Sequence, residues 1–339
     1  MNICICGGGN LGHVTAGFIA ARGRDRVSLL TRHPEKWNKS ITVERPDNWL
    51  PLIGTPACIT KHPEEAVADA DAVVLCLPGF SIREVLTEIK PWLKPDTIVG
   101  SVVSSTGFFL EAMSILPAGQ PLFGLQRVPF IARTIEYGHK AAIKGYKESL
   151  SVAVEQTYRR EEIRQLCERL FNTPTMLLNS FYEVTLSNSN PLLHPARLYD
   201  LWQEWHEGIV YPEIPMFYEE WTERASQYYL AMDLELQALI RILPVGEGSI
   251  PSVLTYYEST DAASLTRKLC SIEAFKGIPA PMTAVKGGYI PDFSSRYFKE
   301  DFAYGLDIVQ RIAHEKGVST PVIDMIAGWG NHYSHQASK

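Results

Sequence analysis

The first third of the chain alternates short apolar runs with segments of helical spacing. Asn2 to Cys6 is an apolar run, and Gly12 to Ala21 is predicted as a helix after a run of glycines. Ala72 to Leu77 is predicted as a buried strand, and Ile82 to Trp92 as an amphipathic helix. Continuous apolar strands separated by helices are typical of a parallel sheet covered on both faces. The pattern therefore predicts a doubly wound α/β domain at the start of the chain.

The pattern changes near residue 175, where helical periodicity takes over. Helices are predicted over Tyr218 to Ile242, Ala262 to Phe275 and Lys299 to Glu315. Pro244 and Gly317 follow two of these segments and are typical helix-ending residues. The second half is therefore predicted to be all-α.

Length and composition agree with two globular domains. The chain has 339 residues. Since a typical domain has about 150 residues, this length suggests two domains. Hydrophobic residues make up 45% and charged residues 21%, which excludes a disordered chain, a collagen and a disulfide-rich miniprotein. We predict a dinucleotide-binding domain over residues 1–175 and an all-α substrate and catalytic domain over residues 176–339.

The net charge and the lengths of the apolar runs bear on which classes of molecule the protein could bind and where it is located. The net charge of −6 gives no support to a nucleic-acid or anionic-membrane partner, since both favour a basic patch. No apolar run reaches about 18 residues, so no membrane span is expected. The apolar run from Met1 to Cys6 is too short for a signal-peptide core. The six scattered cysteines form no C-x-x-C pair, which predicts reduced thiols and a cytoplasmic protein.

A glycine motif follows the first apolar run directly. Gly7, Gly9 and Gly12 fit G-x-G-x-x-G. The first glycine makes the tight turn, the second lets backbone approach a pyrophosphate, and the third lets the helix pack closely on the strand. Asn10 and Leu11 lie between the second and third glycines, directly before the predicted helix, and are assigned to the same cofactor site. The N-terminus of that helix offers free N–H groups to the phosphate. The context predicts a Rossmann-like dinucleotide site.

The end of the second predicted strand bears on the choice of cofactor. NAD-binding folds usually have an acid there, about 20 residues past the glycines, to hold the ribose hydroxyls. This chain has Thr31 and Arg32, and no acid follows until Glu35. A guanidinium suits a 2′-phosphate bidentately, and the Thr31 hydroxyl could donate to the same group. We predict NADP(H) as the preferred cofactor, with NAD(H) as the alternative and a solvated surface arginine as the other interpretation.

Two loops are expected to border the nicotinamide. Pro78 to Phe80 follows the predicted strand that ends at Leu77, and Val103 to Gly107, with Ser104 and Thr106, follows the next strand. Ligands in open α/β sheets bind at the carboxyl ends of the strands. Turn chemistry explains the residues of both loops equally well.

Two segments of the second half carry candidate chemistry. His194 lies in a polar, proline-bracketed segment, and Pro195 is expected to hold it in extended geometry that presents its ring to an interdomain cleft. Arg296 and Asp301 flank a predicted helix start. Acids are also common in a first helical turn because the helix dipole favours them, so this cluster has a structural interpretation too.

Four segments together resemble a known family. They are GGGNLGH at the start, N-P-L-L-H-P around His194, the stretch from Ser264 to Lys268, and R-Y-F-K-E-D with a following Y-G. Over nearly its whole length the chain resembles the opine dehydrogenases of the octopine/nopaline type. The resemblance implies an N-terminal Rossmann domain and a helical C-terminal domain, with substrates in the cleft. It also implies an NAD(P)H-dependent reductive condensation of an amino acid with a 2-oxo acid such as pyruvate.

The resemblance also implies roles for three residues. His194 matches the family's catalytic histidine, Asp301 its acidic partner, and Arg296 the arginine that holds a substrate carboxylate. The dense aromatics between Tyr199 and Tyr229 are expected to shape the amino-acid pocket.

Two other functions stay open at this stage. A 2-oxo acid or imine reductase similar to ketopantoate reductase would use a lysine in its second domain, and residues 180–195 contain none. A non-catalytic NADP-sensing protein would need no proton donor such as His194. The sequence leaves open which amino acid and which oxo acid react. It also leaves open the number of subunits, with a homodimer among the options.

Overall fold

The computed structural model describes residues 1–46, 49–105 and 107–337. The chain divides into two compact units, Met1–Thr185 and Leu186–Lys339. The domain boundary that the sequence predicts at residues 175/176 stays a prediction, to be tested by limited proteolysis. Thr106 lies outside the described residues. Within the described ranges, every helix is too short or too polar to cross a bilayer.

The first unit contains two sheets and six α-helices among its described residues, with 3-10 turns at Pro34–Lys36 and Lys90–Trp92. The strands are β1 (Asn2–Cys6), β2 (Arg26–Leu30), β3 (Ile41–Glu44), β4 (Leu52–Gly54), β5 (Cys58–Thr60), β6 (Ala72–Leu75), β7 (Ile98–Ser101), β8 (Leu122–Leu125), β9 (Phe130–Glu136), β10 (Lys140–Tyr146), β11 (Leu150–Glu155) and β12 (Thr175–Leu177). The helices are α1 (Asn10–Ala21), α2 (Pro63–Val67), α3 (Gly79–Ile89), α4 (Phe108–Ile115), α5 (Arg160–Phe171) and α6 (Tyr182–Thr185).

The main sheet confirms the predicted doubly wound architecture. Its order is β12-β11-β8-β7-β6-β1-β2-β5, and β8 and β11 are its one antiparallel pair among the described residues. Successive residues of β1 face opposite sides of the sheet. Ile3 and Ile5 enter one hydrophobic core, whereas Cys4 and Cys6 enter the core on the other face. These two cysteines therefore share one buried face of β1.

A second sheet, with the order β4-β3-β10-β9, packs on α1. A Cβ on Gly17 of α1 would lie 2.6 Å from a methyl carbon of Val43, so glycine permits this close approach. Periodicity did not predict this sheet. Its strands are short, and β9 is exposed at alternate positions such as Ile131 and Arg133, so it lacks a continuous apolar run.

The second unit is helical, with one hairpin in its described part. Its helices are α7 (Asn190–Trp202), α8 (Glu223–Ile240), α9 (Val253–Tyr256), α10 (Ala262–Ser271), the π-helical segment Tyr297–Leu306, α11 (Asp307–Glu315) and α12 (Pro321–Ala337). Its strands β13 (Met282–Val285) and β14 (Gly288–Pro291) form an antiparallel pair that the helical periodicity did not predict.

The start of α8 differs from its prediction. The helix begins at Glu223 rather than Tyr218, because the Thr222 side chain accepts a hydrogen bond from the Ala225 backbone N–H at 3.0 Å and caps the helix there. The residues before Thr222 are therefore free to leave the helix axis, and Tyr218 lies outside α8.

Tryptophans from the aromatic-rich segment form part of the core of the second unit. Trp202 is fully buried and its ring meets Phe293 edge-on, and Trp205 packs against the same phenylalanine. Trp329 joins them from α12. These indoles stabilise the unit, and other members of the segment approach His194.

Candidate active site

A cavity of about 580 Å³ opens in the first unit, within the size range of cofactor sites. Its wall includes five of the residues that the sequence assigns to the cofactor. They are Gly7, Gly9, Thr31, Arg32 and Pro78. The carboxyl ends of β1, β2 and β6 bring these residues together, as expected for a doubly wound sheet.

The three motif glycines have the geometry that a dinucleotide requires. Gly7 has a φ of +122°, and a Cβ on it would lie 2.5 Å from the Cys76 carbonyl oxygen. A Cβ on Gly12 would collide with the carbonyl of Gly7, whereas a Cβ on Gly9 would meet nothing within 4 Å. The helix α1 starts without a side-chain cap, so its first N–H groups remain available to an anion. These residues fit a bound pyrophosphate.

His13 fastens the glycine loop to the turn between β9 and β10. Its Nε2 accepts a 2.7 Å hydrogen bond from the Gly138 N–H, so Nδ1 carries the proton and donates to the Gly9 carbonyl at 2.9 Å. Burial lowers the pKa of His13, which favours this neutral form. The same turn brings Tyr137 to the cavity wall. The sequence analysis gave neither residue a role.

Three predicted cofactor residues have side chains engaged elsewhere. The Asn10 Oδ1 accepts from the Thr134 N–H at 2.8 Å, and Leu11 packs against the core. Ser104 is buried, and its hydroxyl donates to the Ser101 carbonyl at 2.9 Å. Asn10 and Leu11 can therefore offer backbone N–H groups, and Ser104 is not on the wall of the cavity.

Arg32 lies at the wall of the cavity with its side chain 70% exposed. It makes a 2.8 Å ion pair with Glu84 of α3, a residue that the sequence analysis did not consider. His33 and Lys61 line the same part of the cavity. This end of the cavity thus combines cationic groups with an acid that competes for one of them.

In the second unit, His194 lies inside α7, so the prediction of extended geometry was wrong. Proline at position 195 removes one helical hydrogen bond and disfavours, without forbidding, a helical residue before it. Leu192, Leu193 and Ala196 are buried on this helix, and their burial offsets that cost. The helix therefore continues through Pro195 and points His194 into the unit.

The structure brings His194 and Asp301 together across 107 residues of sequence. The Nδ1 atom lies 2.8 Å from the Asp301 Oδ2, and the two side chains are 10% and 15% exposed. Asp301 belongs to the π-helical segment. An ionised carboxylate only accepts hydrogen bonds, so Nδ1 carries the proton and the tautomer is fixed.

The other ring nitrogen of His194 faces a tyrosine that the sequence analysis missed. The Tyr218 hydroxyl lies 2.8 Å from Nε2. Burial raises the pKa of Tyr218, so the hydroxyl keeps its proton at neutral pH and donates it to Nε2. The segment was predicted as helix, and no spacing signal ties residue 218 to residue 194. Tyr297 packs edge-on against the imidazole from the third side.

Arg197, one turn after His194, holds the backbone of the segment that carries Tyr218. It is 1% exposed, its Nε donates to the Phe217 carbonyl at 2.9 Å, and its Nη1 pairs with Asp200 at 3.0 Å. A buried guanidinium needs such partners, and here they fix the backbone beside Tyr218.

Arg296 directly precedes the π-helical segment that carries Asp301. Its side chain is exposed, and the described residues include no ion partner for it. A guanidinium that is not neutralised by the protein can hold a carboxylate in a planar fork.

Comparisons with known proteins agree with this geometry. A model of the alpha-helical domain of NAD/NADP octopine/nopaline dehydrogenases matches residues 177–334, and one of the N-terminus of NAD-dependent glycerol-3-phosphate dehydrogenase matches residues 2–114. Octopine dehydrogenase from Pecten maximus is 26% identical over 97% of this chain and 89% of its own. Tauropine dehydrogenase from Arabella iricolor is 27% identical over 96% and 90%.

A solved structure extends the similarity to three dimensions. Octopine dehydrogenase with NADH and L-arginine superposes with a TM-score of 0.85 at 26% identity, covering 97% of this chain and 88% of that one. The Rossmann-like first unit and the helical second unit are therefore confirmed. Over nearly its whole length the chain is therefore similar to the opine dehydrogenases, NAD(P)-dependent oxidoreductases that act on CH–NH bonds.

Proposed function

We propose that this enzyme condenses the amine of an amino acid with the carbonyl of a 2-oxo acid and reduces the product to a secondary amine. The observation that carries the proposal is the 2.8 Å pair of His194 and Asp301, on the two helical segments that also carry the family's motifs. The names of the relatives support the substrate class, since one structure contains NADH with L-arginine and another contains NADH with pyruvate.

Three residues of the second unit, His194, Asp301 and Arg296, each have a distinct role in this proposal. His194 exchanges protons with the amine and the carbonyl oxygen. Asp301 keeps the imidazole in one tautomer and stabilises the imidazolium when it forms. Arg296 holds a substrate carboxylate and so orients the reacting carbon.

The cofactor would be held by the cavity of the first unit. The open face of Gly9 and the free N–H groups of α1 suit the pyrophosphate, and Thr31 and Arg32 suit the adenosine ribose. When bound, the nicotinamide cofactor supplies the hydride that reduces the C=N bond. Ser104 has no such task in this proposal, because its hydroxyl is engaged by the Ser101 carbonyl.

NADP(H) preference is part of the proposal and is supported by Arg32. Replacing Arg32 with Asp should weaken NADPH binding by about 1.5–3 kcal/mol, the range for hydrogen bonds to charged groups, and affect NADH much less. Fluorescence titration of both cofactors measures this difference. An equal effect on the two cofactors would assign Arg32 to the solvated surface and leave NAD(H) as the cofactor.

The test of the reaction is oxidation of NADPH or NADH with pyruvate and pooled amino acids. Consumption that requires both substrates, with an N-(carboxyalkyl)amino acid found by mass spectrometry, supports the proposal. Consumption with the oxo acid alone would instead indicate a 2-oxo acid reductase. Cofactor binding without turnover across the pools would indicate a sensing protein.

A further inference from the structure

Both ring nitrogens of His194 are occupied by protein groups. Asp301 accepts from Nδ1 and the Tyr218 hydroxyl donates to Nε2, each at 2.8 Å. An imidazole has no third site for proton exchange. A substrate can therefore exchange a proton with His194 only through Tyr218, unless the tyrosine moves away.

Aromatic stacking holds the ring of Tyr218 in place. It stacks on Phe275 with the ring centroids 4.1 Å apart and an interplanar angle of 19°. Trp221 lies parallel to it, with an interplanar angle of 6°. The side chain is largely buried, and Arg197 fixes the carbonyl of the preceding Phe217. Moving the ring would break these stacking contacts, which favour the observed position.

We propose that Tyr218 is a catalytic residue whose hydroxyl contacts the substrate and relays protons between it and Nε2 of His194. This inference rests on the proposed function and adds a third group to the pair of His194 and Asp301.

The first use of the relay prepares the nucleophile. An N–H bond of the substrate ammonium breaks, and its proton moves to the Tyr218 oxygen while the tyrosine proton moves to Nε2. The products are a neutral amine, an unchanged phenol and an imidazolium paired with Asp301. Because its hydroxyl gives up one proton as it takes another, Tyr218 never becomes a phenolate, the form that its raised pKa disfavours.

The second use of the relay removes water. The amine attacks the carbonyl carbon, and a C–N bond forms as the C=O π bond breaks and its electrons move to the oxygen. A proton then moves from the nitrogen to that oxygen to give a neutral carbinolamine. Tyr218 then protonates the hydroxyl and is reprotonated by the imidazolium. The C–O bond breaks, water leaves with the bonding electrons, and the nitrogen lone pair forms an iminium. A bound nicotinamide cofactor would supply the hydride that reduces the iminium carbon to the secondary amine and would itself be oxidised. The relay leaves His194 neutral again.

The test is Tyr218→Phe, which keeps the stacked ring and removes only the hydroxyl. The kcat should fall by about 10²-fold or more, as for loss of a general acid–base group. The dissociation constant of NADPH should stay within about twofold, because the described cofactor residues lie in the other unit. Since residues that act as one unit are non-additive, Tyr218→Phe combined with His194→Ala should be about as slow as His194→Ala alone.

Tyr333→Phe is the matched control. It removes the hydroxyl of a half-buried tyrosine in the same unit, one that donates to the Trp205 carbonyl at 2.7 Å and makes no hydrogen bond to His194. It should keep kcat within about twofold, which separates the loss of the relay from a general loss of packing.

The outcomes separate this inference from the proposed function. If the wild-type enzyme fails to turn over any oxo acid and amine pair, both fall. If the wild type is active and His194→Ala is slow, but Tyr218→Phe loses less than tenfold or combines additively with His194→Ala, only the relay is overturned. A loss of tenfold or more that is non-additive, with cofactor affinity retained, supports it.

Discussion

The cofactor cavity and the histidine site are built in opposite ways. The cavity depends on backbone, since Gly7, Gly9 and Gly12 lie within one short segment and act through the absence of a side chain. The histidine site depends on side chains from three distant segments, with His194 and Asp301 separated by 107 residues. Local spacing can therefore predict the first kind of site. The second kind emerges only when the chain is folded, or from resemblance.

The largest effect should come from breaking the side-chain site. His194→Ala should lower kcat by about 10²–10⁴-fold, the usual range for general acid–base catalysis. Asp301→Asn should also lower kcat, because an amide in place of the carboxylate disturbs the tautomer of His194 and leaves its imidazolium unpaired. NADPH affinity should change little in either variant.

Steady-state kinetics at saturating cofactor, with a parallel binding titration, measure both quantities. A near-normal kcat for His194→Ala would show that this histidine has a structural role. The side-chain cluster around it would then not be a catalytic site.

Sequence reasoning reached the fold of both units and most of the cavity. The main sheet follows from continuous apolar strands, and the glycine motif identifies the turn after β1. The sheet formed by β3, β4, β9 and β10 was missed, because its strands are only partly buried and one of its pairings, between β3 and β10, joins residues nearly a hundred positions apart. Hydrophobic periodicity carries no information on such pairing.

The histidine site was reached only in part, for physical reasons. His194 and Asp301 were found through resemblance, and the local rule for Pro195 gave the wrong conformation because burial of α7 outweighed it. Tyr218 was predicted to be the first residue of a helix, whereas the Thr222 cap makes the helix begin at Glu223 and leaves Tyr218 outside it. Hydrogen bonds between side chains far apart in sequence follow from tertiary packing, which a single sequence does not display.

The next largest effect is expected from removing the contact between Arg296 and a substrate carboxylate. Arg296→Ala should raise the KM of the carboxylate substrate that it holds by about 10–100-fold, which corresponds to roughly 1.5–3 kcal/mol for a charged hydrogen bond. The kcat should change little if the contact is equally strong in the ground and transition states. Arg296→Lys serves as the control, since it keeps the charge but loses the planar fork and should fall between the two. A KM unchanged for both substrates would exclude this role.

In the cofactor cavity, which is built from backbone, substitutions of the glycines are expected to affect stability and cofactor affinity separately. Gly12→Ala places a methyl group against the carbonyl of Gly7 and should destabilise the protein by about 1–3 kcal/mol, the usual cost of overpacking. Gly9→Ala meets nothing within 4 Å and should cost less than about 1 kcal/mol, yet it fills the face that approaches the pyrophosphate. Urea unfolding and NADPH titration of both variants should therefore separate stability from affinity. If Gly9→Ala binds NADPH normally, the pyrophosphate does not lie against this glycine.

The smallest effect should come from the one side-chain contact that tunes the cavity. Glu84 is 56% exposed and pairs with Arg32 at 2.8 Å, so it competes with a 2′-phosphate for the same guanidinium. Exposed ion pairs are worth about 0.2–1 kcal/mol, and Glu84→Gln should tighten NADPH binding by up to about fivefold while NADH binding stays the same. Glu111→Gln, which breaks the ion pair of Arg83 on the same helix, should change neither affinity. Since the attraction between exposed charges is screened by salt, the gain for NADPH should shrink at high ionic strength. If Glu84→Gln tightened both cofactors equally, Glu84 would act on the general field of the cavity, and the assignment of Arg32 to the 2′-phosphate would lose its support.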